Sequence, residues 1–317
     1  MTQAAILAAS GSPGTTTGFK NRLINGNMII WQRGTSFSAI GYTADRWSFY
    51  AGTSPVVTQS SDVPAGYRYS AALSGTSSTG FTQKIESNNV SDLSGQSITV
   101  SFWLKQSTGA GSNAIAISLS YATAQDNFGS TTSIGSTNIT TTSSWAYYTA
   151  TFNNLPSGVT NGLQCTIVTN SGSAVAFQLT GVQLEVGTTA TNFDFRSYGT
   201  ELALCQRYYW RKNGANGSGN TMVGAGMFYN STDPRCCLAN PVTMRAVPAI
   251  TFSGSAFVSE RAGTFAGNIG TPTSANLSPE ASLLYSGGTG TAAGTAGQGT
   301  FWYINDSTTY IAVSAEL

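Results

Sequence analysis

Short runs in which apolar and polar residues alternate follow one another from about residue 21 to residue 195. Turn-forming Gly, Ser and Asn residues separate these runs, and no apolar pattern of helical period extends over the length of a helix. This spacing predicts about nine or ten strands in an antiparallel β-sandwich of jelly-roll type. The predicted strands lie in LINGNMIIW (23–31), RWSFYA (46–51), GYRYSAAL (66–73), GFTQKIES (80–87), SITVSFWLKQ (97–106), NAIAISLSYA (113–122), WAYYTATF (145–152), GLQCTIVT (162–169) and AVAFQLTGVQLEVG (174–187).

The pattern changes at YGTELALCQRYYWRK, residues 198–212. Thr200 can cap a helix, and strong helix formers follow it for about two turns. Beyond this segment the β pattern returns, with long Gly, Thr and Ala connections. The sequence therefore predicts an all-β chain of two antiparallel β-sandwich, jelly-roll-like domains joined by one short helix. Residues 19–197 form the first domain, 198–212 the junction helix and linker, and 213–317 the second domain.

Charged residues make up 9% of the chain, against about 25% in typical soluble domains. Solubility then depends on Ser, Thr, Asn, Gln and Gly, a composition that is common in fibres, shells and other extracellular assemblies. The net charge of +1 and the absence of a basic stripe argue against nucleic-acid binding. No segment has the apolar length of a membrane span, and the N-terminus lacks a signal-peptide pattern, so we expect synthesis in the cytoplasm without export.

The sequence offers little equipment for catalysis. It contains no histidine, which excludes Ser-His-Asp and Cys-His arrangements and disfavours a zinc site. The 13 acidic residues are scattered singly, without the paired carboxylates that a glycosidase needs. We therefore do not expect an enzyme. The cysteines, which form no CxxC motif, are predicted to be buried free thiols; they are Cys165, Cys205, Cys236 and Cys237.

Several aromatic and polar side chains on the predicted strands could form a ligand-binding face. In SFWLKQ, strand alternation places Trp103 and Lys105 on one face, and Phe102 and Leu104 on the other. The alternative interpretation is that the first pair occupies ordinary solvent-facing or interface positions. The candidate ligand-binding residues are Tyr67, Tyr69, Gln83, Trp103, Lys105 and Tyr147.

Two early tryptophans, Trp31 and Trp47, could stack on a sugar ring or pack in the core. The alternation in RWSF points Trp47 and Phe49 to the same side, which favours core packing. The neighbouring Asp45-Arg46 pair is compatible with a buried ion pair and with a surface pair of little energetic weight.

Five segments carry a resemblance to a known family: FKNRLINGNMIIWQRGTSF (19–37), GYTADRWSF (41–49), QLEVGTTATNFDFRSYGTELALCQRYY (183–209), NPVTMRAVPAITFSG (240–254) and IAVSAEL (311–317). The chain resembles bacteriophage structural proteins of the tail-fibre, receptor-binding and head-fibre type. The resemblance implies a virion protein that binds a host-surface glycan non-covalently as a homotrimer. Residues 1–18 lack periodicity and are rich in small residues, which indicates a linker or an arm docking to other virion proteins. The alternative is a capsid-attached decoration or head-fibre protein with a mainly structural role.

In a trimer of this kind, the apolar side of the junction helix could pack on a neighbouring sandwich or around a threefold axis. The residues at this candidate oligomer interface are Leu202, Leu204, Cys205, Tyr208 and Tyr209.

The first domain is also similar to carbohydrate-binding modules of families 4, 9 and 22. The resemblance implies a structural calcium ion held by an acidic residue in the opening strand and an aspartate in the closing strand. Here the opening strand offers Asn25 and Asn27, and LTGVQLEVG contains no aspartate, so calcium is possible but not favoured. In this context Asn25-Gly26 indicates a kink or bulge in the first strand.

Overall fold

A computed structural model describes residues 19–50, 54–76, 79–108, 115–169, 175–214, 220–261, 264–286 and 290–317. The predicted docking arm, residues 1–18, lies outside the described residues. Within them the chain is all-β, with antiparallel sheets and one α-helix, which confirms the predicted fold class. None of the helical structure in the described part is long and apolar enough to span a membrane.

The chain divides into two compact units. Among the described residues, the first unit contains 19–29, 35–196 and Leu317, and the second contains 30–34 and 197–316.

Among its described residues, the first unit has twelve strands in two six-stranded sheets. The strands are β1 (Ser36–Phe37), β2 (Gly41–Tyr42), β3 (Ser48–Tyr50), β4 (Val56–Ser60), β5 (Ser70–Gly75), β6 (Gly80–Ile85), β7 (Ile98–Thr108), β8 (Ile115–Ala124), β9 (Asn127–Ile139), β10 (Ala146–Phe152), β11 (Leu163–Thr169) and β12 (Val175–Val186). One sheet, here called the groove sheet, has the order β1-β4-β5-β12-β7-β10, and the other has the order β2-β3-β6-β11-β8-β9. Two short 3₁₀ helices cover Ser87–Asn89 and Ser157–Asn161.

Alternation along the strands builds the core of the first unit. Phe102 and Leu104 on β7 are fully buried, as the pattern predicts. Trp47 is also fully buried and stacks on Phe81 with ring centroids 5.1 Å apart, which confirms the core interpretation for this tryptophan. Burying a side chain of this size contributes about 1.5–3 kcal/mol. Trp31 is partly buried and belongs to the second unit.

The predicted first strand, residues 23–31, is wrong, because this segment forms turns instead. Asn25 and Met28 have φ values of 56° and 55°, and the Met28 amide donates to the Asn25 carbonyl over 3.1 Å. The Asn25-Gly26 pair therefore marks a tight turn and not a kink within a strand. Since a buried segment outside a sheet has no ladder partners, side chains must satisfy its backbone.

Gln83 provides such a side chain. It is 1% exposed on β6, where its Oε1 accepts from the Ile24 amide over 2.7 Å and its Nε2 donates to the Ile24 carbonyl over 2.8 Å. The interpretation of Gln83 as a ligand-binding residue is corrected by these contacts, because both ends of its amide already serve the fold.

Asn25 and its neighbours are likewise committed to the fold. The Asn25 Nδ2 donates to the Asp45 carbonyl over 3.0 Å, and its Oδ1 accepts from the Ile29 amide over 2.9 Å. The oxygen considered for calcium is therefore engaged by the backbone. Asp45 and Arg46 are both buried, so the surface-pair interpretation is wrong; the Arg46 guanidinium donates to the Lys84 carbonyl over 2.6 Å.

A β-bulge in β12 supplies the remaining partners. Thr180 lies opposite Trp103 and Gln183 lies opposite Ser101, so β12 has one residue more than β7 between these pairs. Val182 lies in the bulge, so its backbone is not part of the β12–β7 ladder. It pairs instead with the opening segment, the turn-forming residues 21–29. Its amide donates to the Gly26 carbonyl over 2.9 Å, and its carbonyl accepts from the Asn21 side chain over 3.0 Å.

The second unit contains one helix and ten strands among its described residues. They are α1 (Tyr198–Gln206), β13 (Tyr209–Asn213), β14 (Thr221–Phe228), β15 (Pro234–Ala239), β16 (Ala249–Ser253), β17 (Phe257–Arg261), β18 (Thr264–Asn268), β19 (Thr273–Ala275), β20 (Ala281–Tyr285), β21 (Gly299–Ile304) and β22 (Tyr310–Ser314). A three-stranded sheet, β13-β22-β16, and a seven-stranded sheet, β18-β17-β21-β14-β15-β20-β19, enclose a core that contains Trp210, Phe257 and Trp302.

Helix α1 begins three residues earlier than predicted. Ser197 and not Thr200 is its N-cap, since the Ser197 hydroxyl accepts from the Thr200 amide over 3.4 Å.

Of the five residues predicted for the oligomer interface, only two are partly accessible to a partner. Leu202 and Leu204 are half-buried.

The other three predicted interface residues, Cys205, Tyr208 and Tyr209, are buried within the chain itself. The Arg33 guanidinium stacks on the Tyr209 ring at 3.4 Å from the centroid. Their assignment to an oligomer interface is therefore corrected, because they have no surface left for a partner subunit.

All four cysteines are free thiols, as predicted, but the prediction that all four are buried is wrong for Cys237. Cys165, Cys205 and Cys236 are buried, and burial raises the pKa of the Cys165 thiol to about 12. Cys237 is exposed, because neighbouring residues of β15 point to opposite faces of the sheet.

We expect Gln83→Leu to lower the free energy of unfolding by roughly 2–4 kcal/mol, because it leaves the buried amide and carbonyl of Ile24 unpaired. Urea denaturation measures this loss. The matched control is Gln164→Leu on β11, a half-buried position whose amide reaches Thr166 over 3.4 Å, where we expect a change within about 0.5 kcal/mol. Equal stability of the two variants would contradict the structural role of Gln83.

Candidate functional site

An open groove lies on the outer face of the groove sheet. Its volume is about 600 Å³. The residues that line it are Tyr67, Trp103, Tyr147, Ala190, Thr191, Asn192, Phe193 and Phe195. All of them belong to the first unit.

Two aromatic residues form the floor of the groove. Trp103 on β7 and Tyr147 on β10 are direct cross-strand partners, so both side chains point away from the core that Phe102 and Leu104 enter. Their ring centroids lie 5.5 Å apart, with an angle of 52° between the planes. The pair therefore presents two tilted aromatic faces to solvent.

Three more rings form the wall. Tyr67 lies in the turn before β5, and its ring centroid is 5.7 Å from that of Phe193 and 5.4 Å from that of Phe195. The two phenylalanines pack edge to face, 4.8 Å apart. They follow β12 in the irregular segment 187–196, which folds back over the sheet.

Buried polar side chains of β12 hold this wall in place. The Glu185 carboxylate accepts from the Thr191 amide over 2.8 Å and from the Thr191 hydroxyl over 2.6 Å. The Gln183 Oε1 accepts from the Asp194 amide over 2.8 Å. Both side chains follow the bulge and lie on the same face as Trp103, where the segment covers them. The bulge thus fixes the position of the wall on the outer face of the sheet.

Tyr67 reaches the bulge itself. A Cβ atom added at Gly181 would lie 2.6 Å from the Tyr67 hydroxyl, and the Gly181 φ of 63° favours glycine in any case. Burial, supported by the nearby Tyr147 phenol, raises the pKa of Tyr67 to about 12. Its hydroxyl is therefore neutral at physiological pH and can donate and accept hydrogen bonds.

A polar cluster continues from the groove along the sheet. Lys105 lies two residues beyond Trp103 on the same face of β7, and its Nζ is 2.6 Å from Asp62 Oδ2. The Trp145 indole N–H donates to Asp62 Oδ1 over 2.9 Å. Hydrogen bonds from Lys105 and Trp145 lower the pKa of the Asp62 carboxyl. The cluster is consequently a charge-balanced pair beside a further aromatic ring.

The structure brings together three of the six predicted ligand-binding residues: Tyr67, Trp103 and Tyr147 line the groove. Lys105 lies in the adjoining cluster. Tyr69 is half-buried outside the groove lining, and its carbonyl accepts from the Thr180 hydroxyl over 2.8 Å. Gln83 belongs to the opposite sheet.

The sequence pattern did not identify two of the three wall residues, their neighbours in the same segment or two members of the cluster. These residues are Asp62, Trp145, Ala190, Thr191, Asn192, Phe193 and Phe195. One signal was present, because the spacing in NFDF places two aromatic rings on one side of an extended segment.

The groove lining combines aromatic faces with neutral hydrogen-bonding groups. Its eight residues contain phenol, amide and hydroxyl groups together with apolar rings, and none of them is a carboxylate. Among the described residues, no group of three His, Cys, Asp or Glu side chains could hold a metal ion.

Comparisons with known proteins identify no family for the chain. No family model and no curated protein matches the sequence. Similar solved structures include the enzymatically active domain of bacteriophage CBA120 tailspike protein 4, with 21% identity and a TM-score of 0.38. That similarity covers 53% of this chain but 22% of the tailspike chain.

Carbohydrate-binding modules are also among the similar structures. A xylan-binding domain from Paenibacillus barcinonensis has 15% identity and a TM-score of 0.35, and covers 55% of this chain and 99% of its own. A family 22 module from Clostridium thermocellum has 14% identity and a TM-score of 0.35, and covers 47% and 91%. Similarity at this level assigns no function to the chain.

We expect one of the 14 tyrosines to titrate near pH 12, about two units above an ordinary phenol, and Tyr67→Phe to remove that transition. The absorbance difference between wild type and variant, recorded during alkaline titration, measures it. Because the folded-state pKa is raised, the contribution of Tyr67 to stability is full below pH 10 and is lost as pH rises through 12. A difference spectrum centred near pH 10 would contradict the buried phenol.

We expect Glu185→Ala to release the wall, because the amide and hydroxyl of Thr191 both lose their acceptor. Hydrogen exchange at Thr191 should accelerate by at least about tenfold while the strands of the groove sheet keep their protection. The control is Asp92→Ala, which removes an ion pair between the exposed Asp92 and the half-buried Arg22 elsewhere in the first unit. Unchanged exchange at Thr191 would show that Glu185 does not position the wall.

Proposed function

We propose that the chain binds a glycan non-covalently in the groove of the first unit. The observation that carries this proposal is the set of five aromatic rings around one open groove: Tyr67, Trp103, Tyr147, Phe193 and Phe195. A pyranose ring has an apolar C–H face that packs against an aromatic face, while its hydroxyl groups require hydrogen-bonding partners nearby. The Tyr67 phenol, Asn192 and the Asp62–Lys105 pair provide such partners.

The shape and charge of the groove favour a saccharide over other ligands. Its volume lies within the range of small-molecule sites, and it is open along the sheet, as an extended and hydrated ligand requires. A single-stranded nucleic acid could also stack on such rings, but it needs a basic surface for its phosphates. Two cations lie near the groove. Lys105 is already paired with Asp62, and the Lys20 ammonium donates to the Thr191 hydroxyl and the Asn192 carbonyl, so the two do not form such a surface.

The same geometry supports binding without hydrolysis. Glycoside cleavage uses two carboxyl groups on either side of the bond, one of them protonated. The groove lining has no carboxylate, and Asp62, in the adjoining cluster, is held in its ionised form by Lys105 and Trp145.

We further propose that the glycan belongs to a host-cell surface and that the chain acts on a phage particle. The resemblance to phage fibre proteins supports this placement, as do the low charge and the polar surface. A homotrimer would present three grooves together and multiply a weak affinity. The trimer, the docking of residues 1–18 and the choice between a tail and a capsid position stay predictions; an intact-particle map would test them.

We expect Trp103→Ala and Tyr147→Ala each to weaken glycan binding by at least about tenfold, because each removes a stacking face at the centre of the groove. Binding is measured first on an array of bacterial surface polysaccharides and then by calorimetry with the saccharide that binds. Phe128→Ala is the matched control, since Phe128 is a half-buried aromatic residue on β9 of the opposite sheet. Equal binding by all three variants, or no binding by the wild type, would contradict the proposal.

A further inference from the structure

A second exposed aromatic site lies entirely within the second unit. Tyr229, which follows β14, is 63% exposed. The guanidinium carbon of Arg235, on β15, lies 3.7 Å from the centroid of the Tyr229 ring. One face of the ring is therefore covered by a planar cation, and the exposed remainder of the side chain is directed to solvent.

Arg235 is fixed in this position by a buried acid. The Arg235 Nε donates to Asp233 Oδ2 over 3.0 Å, and the Arg235 Nη2 lies 2.9 Å from the same oxygen. Asp233 is buried, and its Oδ1 accepts from the Ser286 hydroxyl over 3.2 Å. The charge of the guanidinium is thus balanced, and its plane is held against the Tyr229 ring.

The loop that carries Tyr229 is also held on several sides. The Tyr229 amide donates to the Asp233 carbonyl over 2.9 Å, and the Asn230 side chain accepts from the Asp233 amide over 2.9 Å. The Gly294 amide donates to the Ser231 carbonyl over 2.9 Å. Because the ring is already ordered, a ligand that stacks on it loses little conformational entropy in doing so.

The neighbours of Arg235 across the sheet complete the surface. Tyr285 on β20 and Met227 on β14 are its direct cross-strand partners. The Tyr285 ring centroid lies 5.8 Å from the guanidinium carbon, and Met227 is 57% exposed. A flat ligand resting here would meet an aromatic face, a guanidinium edge, a phenol and an apolar thioether.

We propose that Tyr229, Arg235 and Tyr285 form a second saccharide-binding site, selective for neutral sugars. The C–H face of a pyranose would stack on the open side of Tyr229, and its hydroxyl oxygens would accept from Arg235 and from the Tyr285 phenol. Asp233 balances the guanidinium charge, so the site gains little from a carboxylate or phosphate on the sugar.

Burial does not explain the aromatic residue at position 229. A side chain that is 63% exposed removes little apolar surface from water, so its packing contributes little to the stability of the fold. The ring is instead held rigid and turned outward, an arrangement that suits a ligand. This site shares no residue with the groove of the first unit and does not depend on it.

The test uses the full chain with Trp103→Ala, which weakens the first groove. Saturation-transfer NMR with methyl glucoside, methyl galactoside and N-acetylglucosamine probes neutral sugars, and glucuronic acid is the acidic comparison. We expect at least one neutral sugar to bind this background, and the addition of Tyr229→Ala to weaken that binding by about tenfold. The matched control is Phe265→Ala on β18, an aromatic residue of the same sheet and the same 63% exposure without a stacked guanidinium.

Arg235→Lys provides a second variant that keeps the charge but loses the planar stack. We expect it to weaken binding as Tyr229→Ala does while the protein stays folded, which circular dichroism checks. Equal binding by the Tyr229→Ala and Phe265→Ala proteins, or no sugar binding in the Trp103→Ala background, overturns the second site. Binding of glucuronic acid alone overturns its selectivity. The first groove is judged separately, by comparing wild type with Trp103→Ala.

Discussion

A buried backbone that is not part of a sheet must still find hydrogen-bond partners, and this requirement shapes the whole first unit. The opening segment crosses the interior as a series of turns, so its amides and carbonyls depend on side-chain amides and on the bulge in β12. Asn21 and Gln83 have these partner roles, and Val182 leaves its own ladder to pair with Gly26. Gly26 has no space for a side chain, since an added Cβ would lie 2.0 Å from the Val182 carbonyl oxygen.

The same bulge builds the groove. It places Gln183 and Glu185 on the outer face, where they anchor the wall, and its glycine makes room for the Tyr67 hydroxyl. One irregularity in one strand therefore connects the opening turn segment with the candidate binding site. No residue of this segment is among those that line the groove, but the position of the wall depends on the register that the segment helps to fix.

The sequence predicted what depends on local alternation. Phe102 and Leu104 enter the core and Trp103 faces outward because neighbouring residues of a strand alternate between two faces, wherever the strand lies in the sheet. Gln83 could not be assigned in this way, since a polar residue at a strand position looks the same in sequence whether water or a buried backbone is its partner. The 13-residue strand β9 was missed for a related reason, as its Ser, Thr and Gly residues show no apolar alternation.

Five of the eight groove-lining residues could likewise not be predicted from the sequence. Trp103 and Tyr147 follow from strand pairing, whereas Phe193 and Phe195 reach the groove only because a loop folds back over the sheet. The position of this loop depends on hydrogen bonds to Glu185 and Gln183, which the spacing of apolar residues does not reveal. The prediction that Tyr208 lies at an oligomer interface is wrong, because this aromatic residue beside the helix is buried within its own unit.

Strand β9 has a consequence for how the protein behaves when concentrated. It forms one edge of its sheet, pairs only with β8 among the described strands, and has no charged side chain over its 13 residues. Charged or proline residues normally discourage such edges from adding a strand of another molecule. With a net charge of +1 and an isoelectric point near 7.6, electrostatic repulsion between copies is also weak at neutral pH. Colloidal stability should therefore improve at pH values well away from neutrality, where all copies have the same sign of charge.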